Sequence, residues 1–242
     1  LGPSNTLTVN VGWVPIQTME KRVKPGRGRP VFPLLMLAAV LKSVPAAAGE
    51  EALHDKTLVA WVLPANLTQR GGSALTIDDV RSHFDGIVFG ELAERRWMAG
   101  SDLFRRTHRE QGPWPEETAD PRTLVQVAIT YQGQQVTLYR NGQPWAQYTM
   151  ASPPQEFGQE SVVVFGKRHL DQQDDAHFVG AIDDARIYGQ ALSADQIAAL
   201  KLNQSSVPKP LAWWDFEDGR AVDRMHLFSA STLFGNARIA DG

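Results

Sequence analysis

Apolar and polar residues alternate over short stretches along the chain. In "TLVQVAITYQG", Val125, Val127 and Ile129 alternate with Gln126 and Thr130, and this period of two is typical of a strand with one buried face. Apolar, β-rich runs bounded by glycine or proline predict further strands. These runs are "TLVAWVLP" (57–64), "DGIVFGEL" (85–92), "SVVVFG" (161–166) and "FVGAIDDARIY" (178–188).

Turn and cap signals separate the strands. Asn141-Gly142 lies between "VTLYR" and "QPWAQYTM", and Asn-Gly between two alternating runs is a strong hairpin signal. A single short helix is predicted after the last of these strands, because Ser193 and Gln196 have the spacing of a capping box. Many short strands with frequent turns predict an all-β fold, a sandwich of two antiparallel sheets with this helix near its C-terminal end.

Composition limits the function classes. The chain has 242 residues, of which 43% are hydrophobic and 21% charged, so it is long enough to form at least one core. Its formal net charge of −3 gives no basic field for nucleic acid, so no nucleic-acid partner is expected. The absence of cysteine excludes disulfides, thiolate metal sites and a cysteine nucleophile.

Residues 19–48 have the order of a secretory signal peptide. A basic segment precedes an apolar run from Val31 to Leu41, and small residues at 46–48 follow. A run of about 11 residues is too short to span a membrane, which takes roughly 20; the alternative is a buried core helix. The sequence therefore predicts a secreted or periplasmic protein whose mature chain starts near Gly49, with 1–18 an upstream or non-native segment.

Three stretches together resemble the laminin-G-like, concanavalin A-like jelly-roll module of secreted bacterial proteins. They are "TLVAWVLP", "VQVAITYQGQQVTLYRNGQPWAQY" and "FVGAIDDARIYGQALSADQIAAL". The last is the most specific, and the positions that fit the family's ending are Gly180, Ile182, Asp183, Asp184, Arg186, Ile187, Tyr188, Ala191, Leu192, Ser193 and Gln196. The resemblance implies a concanavalin A-like jelly roll over 49–200.

One family feature is displaced. Such modules usually open with a Trp-x-Phe-acid strand, which here occurs only at Trp214–Glu217, after a linker-like segment at 201–210. Residues 211–242 therefore either start a second module or complete the first sandwich. We favour a second module, because a linker precedes it and "LFGNARIADG" resembles the strands after such an opening. This order resembles the N-terminal region of fructan-cleaving family 32 glycoside hydrolases.

Catalysis within these 242 residues is not expected. The sequence lacks the paired carboxylates of jelly-roll glucanases, a Gly-x-Ser-x-Gly elbow, a His-Glu-x-x-His helix and a phosphate-binding glycine loop. The resemblance implies a non-catalytic, secreted module that binds a glycan or a cell-surface protein, or that spaces and supports a following domain. The alternative is the N-terminal part of a glycoside hydrolase whose catalytic domain lies beyond residue 242.

Two adjacent carboxylates in the closing strand need a physical account. Strict alternation puts Asp183 on an apolar, inward face and Asp184 on the opposite face, where a surface ion pair with Arg186 is expected. Asp183 would then need a hydrogen-bond donor, an arginine or a structural calcium ion, and its removal should destabilise the fold more than removal of Asp184. Further calcium ligands could come from acidic loops, at Asp78, Asp79, Asp174 and Asp175.

Exposed aromatic side chains are the candidates for glycan contact. Trp97 in "RRWMAG" and Trp114 in "GPWPEE" lie in predicted loops, whereas Trp61 and Trp145 lie in predicted strands and are interpreted as core. The arginine pairs at 95–96 and 105–106 are interpreted as a solvated face, with a weak anion site as the alternative.

Overall fold

The computed structural model describes residues 5–9, 52–172, 176–228, 231–233 and 236–241. The predicted signal peptide, Asp174 and Asp175 lie outside these ranges. The described residues form an all-β sandwich of two antiparallel sheets with one short α-helix, which confirms the predicted fold class. Within the same ranges, no helix is long and apolar enough to cross a membrane.

Twelve strands are described, and the long connection between β5 and β6 carries Trp114. They are β1 (Asn5–Val9), β2 (Lys56–Pro64), β3 (Gly72–Asp78), β4 (Phe84–Phe89), β5 (Trp97–Ser101), β6 (Val125–Gln132), β7 (Gln135–Arg140), β8 (Gln143–Thr149), β9 (Val162–Val164), β10 (Gly180–Tyr188), β11 (Ala212–Trp214) and β12 (Ala237–Asp241). In the described part of the chain, the larger sheet has eight strands in the order β12-β1-β10-β2-β6-β7-β8, and β11 pairs with β10 beside β1. The smaller sheet has four, in the order β5-β4-β3-β9.

The position of strand β2 in the larger sheet explains why its sequence is apolar throughout. Leu58, Ala60 and Val62 face the main core between the two sheets. Val59 and Trp61 belong to a second cluster on the outer face of the larger sheet. Both faces of the strand are therefore buried, so the run does not alternate with polar residues.

Helix α1 (Ala194–Ala199) covers that outer cluster. Its predicted capping box is present, because Ser193 Oγ accepts from the Gln196 N–H at 3.2 Å while Gln196 Oε1 accepts from the Ser193 N–H at 2.8 Å. The predicted Asn141-Gly142 hairpin joins β7 to β8. A Cβ on Gly142, at φ +75°, would lie 2.8 Å from Ala198 Cα, so both the backbone angle and the contact with α1 require glycine.

The described residues after the linker join the same sandwich. Strand β11 pairs with β10, and Trp214 and Phe216 lie in the main core with edge-on contacts to Phe165 at 5.3 and 5.5 Å. In the range 1–18, β1 pairs with β10 and β12. These contacts place β1, β11 and β12 in the larger sheet, while the domain boundaries themselves stay a prediction.

Candidate functional site

Strand β10 contains a β-bulge at the adjacent carboxylates. Ile182 lies opposite Val62 and Asp184 opposite Trp61, so Asp183 is an extra residue in the ladder. A bulge breaks the alternation of faces, and the predicted separation of the two aspartates is therefore wrong. Both aspartates meet Asn203: its Nδ2 donates to Asp183 Oδ1 at 3.0 Å, and its backbone N–H donates to Asp184 Oδ2 at 2.7 Å.

Asp184 is not a surface residue, contrary to the prediction. It is fully buried and receives two hydrogen bonds from Arg186, at 2.8 and 2.5 Å. The Arg186 guanidinium lies between the rings of Trp61 and Trp213, 4.9 and 4.8 Å from their centroids, and donates to the Lys201 carbonyl at 2.8 Å. The sequence pattern does not predict the burial of Asp184, because residues that cover it come from the linker-like segment after α1.

The candidate calcium ligand Asp183 is buried and already bonded to Asn203. The second Nδ2 hydrogen of Asn203 goes to Glu217 Oε1, at 3.0 Å. In the described ranges, no three His, Cys, Asp or Glu side chains converge to hold a metal, whereas calcium takes six to eight oxygens. These residues alone do not fit a calcium site, so calcium at Asp183 stays a prediction that a calcium-dependent rise in Tm would test.

Trp97 does not lie in an exposed loop, and this expectation is wrong. It opens strand β5, has no exposed surface and packs against Phe89 and Phe178 at 4.6 and 6.2 Å between ring centroids. Its indole N–H donates to Glu117 Oε2 at 2.8 Å. Its arginine and glycine neighbours resemble a loop in sequence, but pairing of β5 with β4 turns the ring into the core. Trp97 therefore offers no face to a sugar.

Glu117 fixes the long connection between β5 and β6. This carboxylate has no exposed surface and accepts from Arg140 at 2.8 to 3.2 Å and from the N–H groups of Thr118 and Ala119 at 2.9 Å each. Burial acts to raise the pKa of Glu117, but the bonds from Arg140, Trp97 and Ala119 outweigh it and lower that pKa. The sequence gives no signal for this pair, because its members lie on separate elements.

Trp114 lies in the same connection and is partly exposed, flanked by the exposed Pro113 and Pro115. Its ring stacks on His108 and on Tyr148 of β8, with centroids 5.5 and 5.9 Å away and planes 15° and 26° apart. His108 and Tyr148 also meet, at 5.4 Å. We call His108, Trp114 and Tyr148 the aromatic platform.

Hydrogen bonds hold the platform in place. Gln111 Nε2 donates to the His108 carbonyl at 2.9 Å, and the Gln111 carbonyl accepts from the Trp114 N–H at 3.0 Å. The Tyr148 hydroxyl donates to the Arg106 carbonyl at 2.8 Å. The Tyr148 ring is thus tied through its hydroxyl, the backbone of His108 and Trp114 is held through Gln111, and the Trp114 ring is positioned by stacking on the other two.

Arg106 belongs to a buried ion network, which corrects its interpretation as part of a solvated face. Its guanidinium donates to Asp85 Oδ1 at 2.8 Å and to Asp102 Oδ1 at 2.6 Å. Lys56 Nζ lies 3.0 Å from Asp85 Oδ2, a close ion pair that is not aligned as a hydrogen bond. Lys56 also faces the Tyr131 ring at 4.5 Å. The network links β2 of the larger sheet to β4 of the smaller one.

Arg95 and Arg96 contact the chain segment that carries Trp114 and are partly buried, which corrects their interpretation as part of a solvated face. Arg96 donates to the Gly112 carbonyl at 3.3 Å, and both arginines contact the carboxylate of Glu116, at 3.6 and 3.1 Å. The structure thus brings the segment from Gly112 to Glu116, which contains Trp114, against this arginine pair, whereas Trp97 faces the core and Asp183 lies on β10.

A separate cleft of about 420 Å³ opens beside the start of β2. Its lining is mainly apolar and includes Leu53, Ile77, Phe157, Leu211 and Phe228. Trp97, Trp114 and Asp183 are not among its lining residues. The aromatic platform, with charged groups at its side, is the stronger candidate for recognising a polar ligand.

Comparisons with known proteins agree with this architecture. The family model of the concanavalin A-like lectin/glucanases superfamily matches residues 43–198. A candidate carbohydrate-binding protein from Bacteroides ovatus superposes with a TM-score of 0.59 at 14% identity, covering 86% of this chain and 61% of that protein's length. A heptameric SAP-like pentraxin from Limulus polyphemus gives 0.51 at 10% identity, covering 99% and 96%. No curated protein sequence matches the chain. Identities this low show a shared fold.

Proposed function

The chain belongs to the concanavalin A-like lectin/glucanase superfamily, and we propose that its sandwich is a non-catalytic module that binds carbohydrate on the aromatic platform. The observation that carries this proposal is the position of Trp114, partly exposed and stacked on His108 and Tyr148. An aromatic face provides a large apolar surface for the C–H face of a sugar ring, while polar neighbours bind its hydroxyls.

The platform is organised before any ligand arrives. The Tyr148 hydroxyl is bonded to the Arg106 carbonyl, Gln111 holds the backbone of His108 and Trp114, and the three rings pack against one another. Binding therefore costs little conformational entropy at the residues that make contact. The likeness in fold to the candidate carbohydrate-binding protein of Bacteroides ovatus supports the same role.

The carboxylates near the platform support a binding role over hydrolysis. Glycoside hydrolysis uses a protonated acid together with a second carboxylate across the scissile bond. Glu117 is buried in hydrogen bonds that lower its pKa, so it holds no proton to donate near neutral pH. Glu116 is ion-paired with Arg95 and Arg96. Neither carboxylate is arranged as a general acid.

The setting of the module is part of the same proposal. Export through a signal peptide at 19–48 would place the platform where extracellular glycans or cell-surface proteins occur. A parent glycoside hydrolase would use such a module to hold its substrate. Sequencing the N-terminus of protein recovered from the culture medium tests the first point, and translating the gene beyond Gly242 to look for paired carboxylate motifs tests the second.

The central test is binding to a glycan array, followed by calorimetry on the best ligand. Trp114→Ala should weaken binding by about 2 kcal/mol, roughly 30-fold, because buried aromatic contacts dominate such interfaces. Trp114→Phe should recover part of the loss. Leu103→Ala is the matched control, since Leu103 is an apolar side chain in the same region with 73% exposure. Absence of glycan binding, or equal binding by a folded Trp114→Ala variant, would overturn the proposal.

A further inference from the structure

A carboxylate of the protein bridges two arginines beside the platform. Glu116 Oε2 lies 3.6 Å from Arg95 Nε, and Glu116 Oε1 lies 3.1 Å from Arg96 Nη1. Glu116 is two residues from Trp114 in sequence, and its side chain is 49% exposed. A planar carboxylate thus occupies a position between two guanidinium groups, on the chain segment that carries Trp114.

Both arginines are held by groups other than Glu116. Arg95 Nε and Nη2 donate to the Glu117 carbonyl, each at 3.2 Å. Arg96 Nη1 donates to the Glu94 carbonyl at 3.2 Å, and Nη2 donates to the Gly112 carbonyl at 3.3 Å. The guanidinium groups therefore keep their positions when the Glu116 side chain turns away.

The local charge favours an anion. Arg95 and Arg96 carry two positive charges against the single charge of Glu116, while the neighbouring Glu117 is neutralised by Arg140. The Arg96 side chain is only 11% exposed, and among the described residues its buried Nε has no hydrogen-bond partner. An arginine this desolvated interacts more strongly with an incoming carboxylate than an exposed one does.

We propose that the platform recognises a carboxylated sugar of the uronic-acid type. Its ring stacks on Trp114, and its carboxylate replaces that of Glu116 between Arg95 and Arg96. The exchange is feasible because the half-exposed Glu116 side chain can turn into solvent, while the incoming carboxylate replaces its contacts with both arginines. This inference deepens the proposed function and rests on it, since it names the class of sugar bound at the same platform.

Calorimetry with two matched probes tests the inference. One is a galacturonic acid trimer and the other is a neutral galactose trimer of the same linkage. The acidic trimer should bind more tightly at low salt and lose this advantage in 0.5 M NaCl. Glu116→Gln should raise the affinity for the acidic trimer, relative to that for the neutral trimer, about two- to fivefold, by removing the competing carboxylate.

Arginine variants provide the converse test. Arg96→Gln should weaken binding of the acidic trimer at least about fivefold more than binding of the neutral trimer, as expected for loss of a charge-assisted hydrogen bond. Arg122→Gln is the matched control, because Arg122 also pairs with a nearby carboxylate, that of Asp120, but is 91% exposed.

The outcomes separate the two proposals. Equal binding of both trimers, with Glu116→Gln unchanged, would overturn the inference and leave the platform intact as a sugar site. Tighter binding of a sulfated trimer of equal charge would overturn the assignment of a carboxylate. Acidic binding that survives Trp114→Ala but is lost in Arg96→Gln would support the arginine site and overturn the platform.

Discussion

Two buried ion clusters in this sandwich stabilise different parts of the structure. The inner cluster, formed by Lys56, Asp85, Asp102 and Arg106, lies between the sheets and joins residues distant in sequence. The outer cluster, Asp184 with Arg186, is formed within one strand and covered by Trp61, Trp213 and residues after α1. In both clusters the positive and negative charges balance, because an unpaired buried charge is costly.

The difference lies in what each cluster holds. The inner cluster fixes Arg106, whose carbonyl accepts from the Tyr148 hydroxyl, so it connects the core to the aromatic platform. The outer cluster anchors the segment from Lys201 to Asn203 onto β10. We therefore expect damage to the inner cluster to change both stability and binding, and damage to the outer cluster to change stability alone.

The largest effect is expected from Arg106→Met. This change leaves Asp85 and Asp102 buried without their main partner, which should lower the free energy of unfolding by about 3 to 5 kcal/mol. Glycan affinity should fall too, since the carbonyl that binds Tyr148 shifts. Urea denaturation and calorimetry measure the two effects.

Arg105→Met is its matched control, because the Arg105 side chain is 54% exposed and its pairing with Asp102 is long, at 3.7 Å. It should change stability by less than about 0.5 kcal/mol. Asp102→Asn provides a milder change should Arg106→Met not fold. A similar stability for the Arg105 and Arg106 variants would mean that the inner cluster does not support the fold.

Local sequence signals predicted much of this fold. The alternation from Val125 to Ile129, the Asn141-Gly142 turn and the capping box at Ser193 each depend on neighbours in sequence, and each is present in the structure. The position of Trp114 in a partly exposed connection follows from the prolines on either side of it.

The errors came from interactions that local patterns do not encode. One extra residue at Asp183 shifts the faces of β10, and a bulge has no fixed sequence signature. Trp97 has loop-like neighbours but pairs with β4. Arg106 and Lys56 come together at Asp85 only once the two sheets pack, so residue spacing could not predict the inner cluster.

The bulge reverses the expected order of two substitutions. Asp184→Ala leaves Arg186 buried without its counter-charge and should cost about 3 kcal/mol of stability. Asp183→Ala removes the bond from Asn203 and should cost about 1 kcal/mol. Neither change should alter glycan affinity, which distinguishes the outer cluster from the inner one. Equal destabilisation in urea, or a larger effect for Asp183→Ala, would show that the two carboxylates are not arranged as in this bulge.

A smaller effect on the free energy of unfolding should depend on pH, through Glu117. It tests whether Glu117 stabilises the connection between β5 and β6 independently of Arg106. The pKa of Glu117 in the folded protein is lowered from its ordinary value of 4.5, so the unfolded chain binds this proton more tightly than the native one does. The resulting stabilisation is complete above pH 4.5 and is lost as pH falls through the native pKa, at about 1.4 kcal/mol per unit of difference. Glu117→Gln should therefore lower stability at pH 7 and flatten its decline in acid, measured by urea denaturation between pH 7 and pH 3.

Glu160→Gln is the control, because the Glu160 side chain is 76% exposed and paired with Arg81. It should leave the pH dependence of stability unchanged. Parallel acid profiles for the wild type and Glu117→Gln would mean that the inner cluster alone fixes the connection that carries Trp114.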